Sequence, residues 1–154
     1  MYSKSIDKIQ VILNNLGYKK VGRTVFYKSD DNYIKIIKIR KHTILENFFV
    51  DIGVIIKSYR KKQNKMRENT WSLSCNPKNI TNNNLYKGVN LQDFFEGKID
   101  LSNDFTNIDN FLDNICNLGK LKSLVKSREI YKYCMPMPLG IKTDIEFEKF
   151  ILSK

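Results

Sequence analysis

A single histidine, His42, stands in 154 residues, between Lys41 and Thr43 at the end of a strand-like run. One imidazole leaves no material for a histidine-based triad or a multi-histidine metal centre, so His42 reads as a surface or turn residue. Cysteine is equally scarce. Cys75, Cys116 and Cys134 stand 41 and 18 positions apart without a C-x-x-C pair, which suggests neither a zinc cluster nor a disulfide framework and leaves them as buried thiols. None of the seven glycines forms G-x-G-x-x-G or a P-loop, so the familiar phosphate cradles are missing and no cofactor is expected. No apolar run approaches the ~20 residues of a membrane span; the longest, residues 48–56, is broken by Asp51 and Gly53. The opening Met1-Tyr2-Ser3-Lys4-Ser5 lacks the apolar stretch of a secretory signal, and neither end carries a lipidation motif. The expectation is a cytoplasmic protein with no membrane partner.

What is present describes one ordinary globular domain, with 42% hydrophobic and 28% charged residues, no repeat and no internal boundary. Lysine, asparagine and isoleucine supply 58 residues, a bias of the kind an AT-rich genome imposes. The charge, however, is uneven. Residues 1–70 carry sixteen Lys and Arg against six Asp and Glu, net +10, whereas residues 71–154 carry eleven against ten, net +1. Genome bias alone does not produce that asymmetry, and a one-sided positive field favours an anionic partner.

Apolar spacing at Ile6, Ile9, Ile12, Leu13 and Leu16 predicts a helix over 6–16, with Ser5 as N-cap and Gly17 closing it. Strand-like runs follow at 23–29, 32–41 and 47–59, with Ser29-Asp30-Asp31-Asn32 supplying turn chemistry between the first two. In the third, Phe48, Val50, Ile52, Val54 and Ile56 share a face, as expected of a central strand half covered by helices. Residues 70–75 supply a fourth strand with Trp71, Leu73 and Cys75 facing the core. Residues 76–90 are polar and turn-rich, the best candidate for a mobile loop. Helices are predicted at 91–96, 107–118, 120–133 and 144–152. Asn90 with Asp93, Thr106 with Asp109 and Thr143 with Glu146 serve as capping pairs. Early strands and late helices indicate an α+β fold: an N-terminal helix, an antiparallel sheet of about four strands, and C-terminal helices packed on one face.

Three carboxylate pairs are available for acid/base work: Asp30 with Asp31, Asp109 with Asp113, and Glu146 with Glu148. Turn formation and helix-dipole stabilisation account for them more simply, and no enzyme is expected. The sharpest feature is the run from Lys57 to Arg67, which carries six cations in eleven residues without an acid. Lys57, Arg60, Lys61, Lys62, Lys65 and Arg67, with Tyr59 for stacking, can track phosphates or meet an acidic protein surface; a solvated connection in a lysine-rich chain is the plainer reading. Lys38 and Arg40 share one strand face while Lys35 and Lys41 share the other, so only half of that group can join one patch. Tyr18, Phe26, Tyr27, Tyr33 and Tyr59 interleave the charges, though core packing is the commoner fate of such residues. The run Met135-Pro136-Met137-Pro138-Leu139-Gly140 is a Pro-punctuated apolar loop that presents two methionines to a partner or docks on its own domain.

Leu16-Gly17-Tyr18-Lys19-Lys20, Gly22-Arg23-Thr24 with Phe26-Tyr27, and Phe49-Val50-Asp51-Ile52-Gly53-Val54 together resemble a bacterial family, domain of unknown function 4304. The resemblance covers about residues 5 to 56, the N-terminal third. The family closes its second strand with a Q-K-S-like run, where this chain has Ile39-Arg40-Lys41. The resemblance implies an α+β domain with an antiparallel sheet and, since some relatives resemble cargo of toxin, immunity or mobile-element neighbourhoods, a small binding protein; it brings no catalytic residues. Two functions follow as expectations. The first is a non-enzymatic, immunity- or antitoxin-like inhibitor of an acidic partner protein, a toxin being the natural target; the second is a nucleic-acid-binding protein using the basic patch.

Overall fold

The computed structural model describes residues 2–59, 71–81, 83–137 and 143–154. Helix α1 (Tyr2–Asn15) buries Ile6, Ile9 and Leu13, with Ile12 and Leu16 at the margin of the core, the stripe its spacing predicts. It ends in a Schellman turn: Gly17 holds φ at +90°, Tyr18 N–H donates to the Leu13 carbonyl at 2.9 Å and Gly17 N–H to that of Asn14 at 3.0 Å. Glycine adopts that left-handed conformation without a Cβ penalty. The helix starts earlier than its sequence cap indicates. Ser5 is a buried interior residue, because the Tyr2 hydroxyl donates to the Ile39 carbonyl at 3.3 Å and docks the first turn on the sheet. Tertiary anchoring extends the helix past the residue that local chemistry marks.

Among the described residues seven strands form one antiparallel sheet: β1 (Lys19–Val21), β2 (Val25–Ser29), β3 (Tyr33–Lys41), β4 (Asn47–Ile56), β5 (Leu73–Cys75), β6 (Val89–Asn90) and β7 (Cys134–Pro136). Their order is β1-β2-β3-β4-β5-β7, and β6 pairs with β4 at Asn47 and Phe48 while β5 pairs with it at Ile52 to Val54. The sheet therefore has more strands than the four expected. β1, β6 and β7 span two or three residues each, too few for period-two alternation to show in sequence. β4 stops at Ile56, short of the expected 59, because Tyr59 N–H turns back to the Ile56 carbonyl at 3.0 Å.

One sheet face meets the helices. Phe26, Ile37, Ile39, Phe48, Val50, Ile52 and Val54 join side chains of α1 and of the later helices in a single core. The opposite face holds a small cluster of Ile36, Ile55 and Trp71, bordered by Val25 and Ile34. Trp71 thus lies across the sheet from Leu73 and Cys75 rather than beside them. The alternation breaks at Ser72: its N–H donates to Val54, its hydroxyl accepts from Ile56 N–H at 2.9 Å, and its carbonyl accepts from Met137 N–H at 3.0 Å. Trp71 is left to lie over Gly53, where a built Cβ would stand 2.2 Å from the indole ring.

Residues 76–90, expected as a loop, instead form a 3-10 turn (Pro77–Asn79), α2 (Asn83–Lys87) and β6, anchored by buried Leu85 and Val89. Helix α3 (Leu91–Phe95) is capped by Asn90, whose Oδ1 accepts from Asp93 N–H at 3.0 Å, as its sequence indicates. Helix α4 (Ser102–Ile115) begins more than a turn before its expected start. Leu101 and Phe105 are buried and extend its apolar stripe, so Thr106 is an interior residue bonding back to the Ser102 carbonyl at 2.9 Å. The helix expected over 120–133 is two, α5 (Leu118–Lys126) and α6 (Ile130–Tyr133). Arg128 separates them in the left-handed region at φ 62°, held by Glu148 at 2.9 Å and stacked 4.9 Å from the Tyr131 ring centroid. Helix α7 (Thr143–Leu152) packs Phe147 and Ile151 into the core. Among the described residues no helix is long and apolar enough to cross a membrane.

Candidate functional site

Each carboxylate pair that sequence offers for acid/base chemistry has at least one member engaged in structure. Asp30 Oδ1 accepts from Asn32 and Tyr33 N–H, both at 2.8 Å, which is the turn role expected of it. Asp109 and Asp113 sit deep in α4, not in its first turn, so the helix dipole does not explain them. Register does. Lys28 and Lys35 are directly opposed on β2 and β3, on the face toward the helices. Lys28 reaches Asp109 at 3.5 Å, and Lys35 Nζ donates to Asp113. Tyr18 completes the group, its buried hydroxyl donating to Asp109 Oδ1 at 2.9 Å. Burial first, and the Asp109 charge next, push the Tyr18 hydroxyl far above its ordinary pKa of 10.0. On α7, Glu148 accepts from the Tyr131 hydroxyl at 2.6 Å and from Arg128; burial first, then that hydrogen bond, raises the tyrosine as well.

The basic residues singled out by sequence divide between two places. Lys38 and Arg40 lie on the sheet face opposite the helices, with Lys38 facing Asp51 and Arg40 facing Phe49 across β3 and β4. Arg40 donates from Nε at 2.9 Å and from a terminal nitrogen at 3.2 Å to the two Asp51 oxygens, and its guanidinium stacks 5.0 Å from the Phe49 ring centroid. Lys57 and Tyr59 stand at the far end of β4. Lys57 Nζ donates to the Asp30 carbonyl, while the Tyr59 ring packs 4.8 Å from Phe150 and edge-on to Phe147. Arg60, Lys61, Lys62, Lys65 and Arg67 lie outside the described residues, as do Pro138, Leu139 and Gly140 of the Met-Pro run. Met135 within that run belongs to β7 and is exposed. His42 has the turn role expected of it: its Nδ1 accepts from Ile44 and Leu45 N–H at 3.1 and 2.9 Å.

Cys75 and Cys134 are buried as expected, and Cys116 is half-buried. Burial pushes the Cys116 thiol up to about 12, against a smaller opposing pull from Lys35. Sequence spacing did not indicate that Cys75 and Cys134 meet. They are paired across β5 and β7 with their sulfurs 2.6 Å apart. Among the described residues no group of three or more His, Cys, Asp or Glu is placed to hold a metal ion. A cleft of about 550 Å³ between α4 and α5 is lined by Asn79, Asn107, Phe111, Asn114 and Tyr133, with Lys120 Nζ bonded to Asn114 at 2.9 Å.

The acid–lysine group was legible only in halves. The i,i+4 spacing of Asp109 and Asp113 marks one helix side, and strand parity places Lys28 and Lys35 inward, but only the register joins them. No curated protein and no solved structure gives a significant match to the chain. A family profile described as a domain of unknown function, DUF4304, matches residues 9–118, reaching well past the first third to include β5, α3 and α4. With most of its length covered by that match, the chain belongs to the DUF4304 family.

Proposed function

We propose that the chain is a non-enzymatic binding protein, an immunity- or antitoxin-like inhibitor that covers the surface of an acidic partner protein. The observation that carries this reading is the make-up of the sheet face opposite the helices. Register aligns Lys19, Tyr27 and Ile36 in one row, Val25, Lys38 and Asp51 in the next, and Arg40 with Phe49 in a third. Three cations against one acid give the face a positive sign. Arg40, fixed by Asp51 and stacked on Phe49, resembles the rigid arginine anchors on which protein interfaces depend. Charge complementarity would steer the encounter and such anchors would set residence time.

Aromatic placement favours a protein partner over nucleic acid. Tyr18, Phe26 and Tyr33 are buried and Tyr59 is packed on α7, which leaves Tyr27 from that set for base stacking. The test is capture of tagged protein from an extract of its own cells, with and without nuclease, beside a Lys19→Glu/Lys38→Glu variant of matched thermal midpoint. A stoichiometric acidic protein that survives nuclease and is lost in the variant supports the inhibitor reading. Recovered nucleic acid, with a log affinity against log salt slope of about −4 to −5, overturns it in favour of the basic run. In that case neutralising Arg60, Lys61, Lys62 and Lys65 together abolishes binding.

A further inference from the structure

We propose that Cys75 and Cys134 are a disulfide-forming pair, a covalent modification site that clasps β7 to β5 when the chain meets a hydroperoxide. The pairing rests on backbone geometry as well as on the sulfurs. Asn76 N–H donates to the Tyr133 carbonyl at 2.7 Å and Met137 N–H to the Ser72 carbonyl at 3.0 Å, and Cys75 opposes Cys134 between them. Alternation along an antiparallel ladder puts this couple at a non-hydrogen-bonded position, where Cα atoms approach to about 4.5 Å. That separation lies inside the range disulfides span. No backbone movement is needed to join the sulfurs.

Access comes from a cleft of about 340 Å³ whose lining includes both cysteines together with Asn76, Tyr131, Lys132 and exposed Met135. The cleft is large enough to hold a hydrogen peroxide molecule. Burial holds the Cys134 thiol in its protonated form, well above its ordinary range, which casts Cys134 as the resolving sulfur and Cys75 as the attacking one. Cys75 loses its proton and its sulfur attacks a peroxide oxygen; the O–O bond breaks, leaving a sulfenic acid, and the departing hydroxide takes the proton to become water. The Cys134 sulfur then attacks the Cys75 sulfur, the S–S bond forms as the S–O bond breaks, and the hydroxide leaves as water with the Cys134 proton. Two thiols are oxidised and one peroxide is reduced to two waters. Cys116, half-buried and held protonated, serves as the internal control.

The experiment treats the full chain with stoichiometric hydrogen peroxide, denatures it in excess iodoacetamide, and maps the peptides by mass spectrometry. The expected result is a mass loss of about 2 Da before alkylation, a crosslinked peptide joining Cys75 to Cys134, label on Cys116 alone, and reversal by dithiothreitol. Unmodified oxidised protein should also melt roughly 10 °C above the reduced form, since the crosslink closes a long loop of the unfolded chain. Cys116→Ser should form the bond as the wild type does, and Cys134→Ser should stop at the sulfenic acid. Label on all three cysteines after peroxide, a crosslink involving Cys116, or sulfinic acid at Cys75 in place of the bond overturns the proposal.

Discussion

Gly53 has an indole ring where its side chain would begin, and that contact makes two residues interdependent. Gly53→Ala should cost about 1–3 kcal/mol by overpacking, read as a lowered urea midpoint with an unchanged slope. Trp71→Phe should cost less than about 1.5 kcal/mol, because among the described residues the buried indole N–H finds no acceptor to lose. If Gly53→Ala becomes neutral in the Trp71→Phe background, the ring edge is the obstacle. Tyr18 gives the pH dependence. Its folded hydroxyl holds its proton far above the ordinary 10.0, whereas the unfolded tyrosine ionises near that value. The folded chain therefore binds the extra proton in alkali, so stability is full below about pH 10 and is lost as pH rises beyond it. Thermal midpoints from about pH 8 to 11 should fall more steeply for wild type than for Tyr18→Phe; parallel curves would refute the assignment. Sequence parity named Trp71 correctly as buried and placed it on the wrong face, since the break at Ser72 comes from tertiary hydrogen bonds with no local signature.

Between elements, the bond from sheet to α4 is polar at its centre. Asp109→Ala strands the buried Tyr18 hydroxyl and leaves the Lys28 ammonium only the Leu16 carbonyl, and should cost about 2–3 kcal/mol. Asp113→Ala leaves Lys35 buried with its charge unanswered; its effect should be smaller, because more than half of the Asp113 side chain is exposed and solvent screens the pair. Urea unfolding of each variant checks the ranking, and an Asp113→Ala loss exceeding that of Asp109→Ala would reverse it. The long elements were legible because their periodicity is strong: α1 and β2 to β4 are where apolar spacing puts them. Most of the failures share one cause. The start of α4, the break between α5 and α6 at Arg128, and the strands β6 and β7 are decided by partners distant in sequence, so local composition carries no mark of them; β1 pairs with the adjacent β2 and is too short for alternation to show. The candidate site was legible to a lesser degree. Strand parity put Lys38 and Arg40 together, but only the fold shows Arg40 stacked between Asp51 and Phe49, and Tyr59 turned toward α7.

At the scale of the whole molecule, charge and sheet shape act together. A net charge of +11 repels itself in the compact state. Raising salt from about 20 to 200 mM should therefore raise the thermal midpoint; a fall would mean that the internal ion pairs outweigh the repulsion. The two ends of the sheet each carry a feature that discourages pairing with another copy. At one end β1 is three residues long and begins with two lysines. At the other, β7 turns the backbone of Cys134 and Pro136 toward an edge that no strand among the described residues pairs; Cys134 N–H is already given to the Ile130 carbonyl, and proline has none to give. A strand arriving from another molecule would find charge at one border and no donor from those two positions at the other, so growth by edge-on addition, the first step toward a fibril, is disfavoured on both sides.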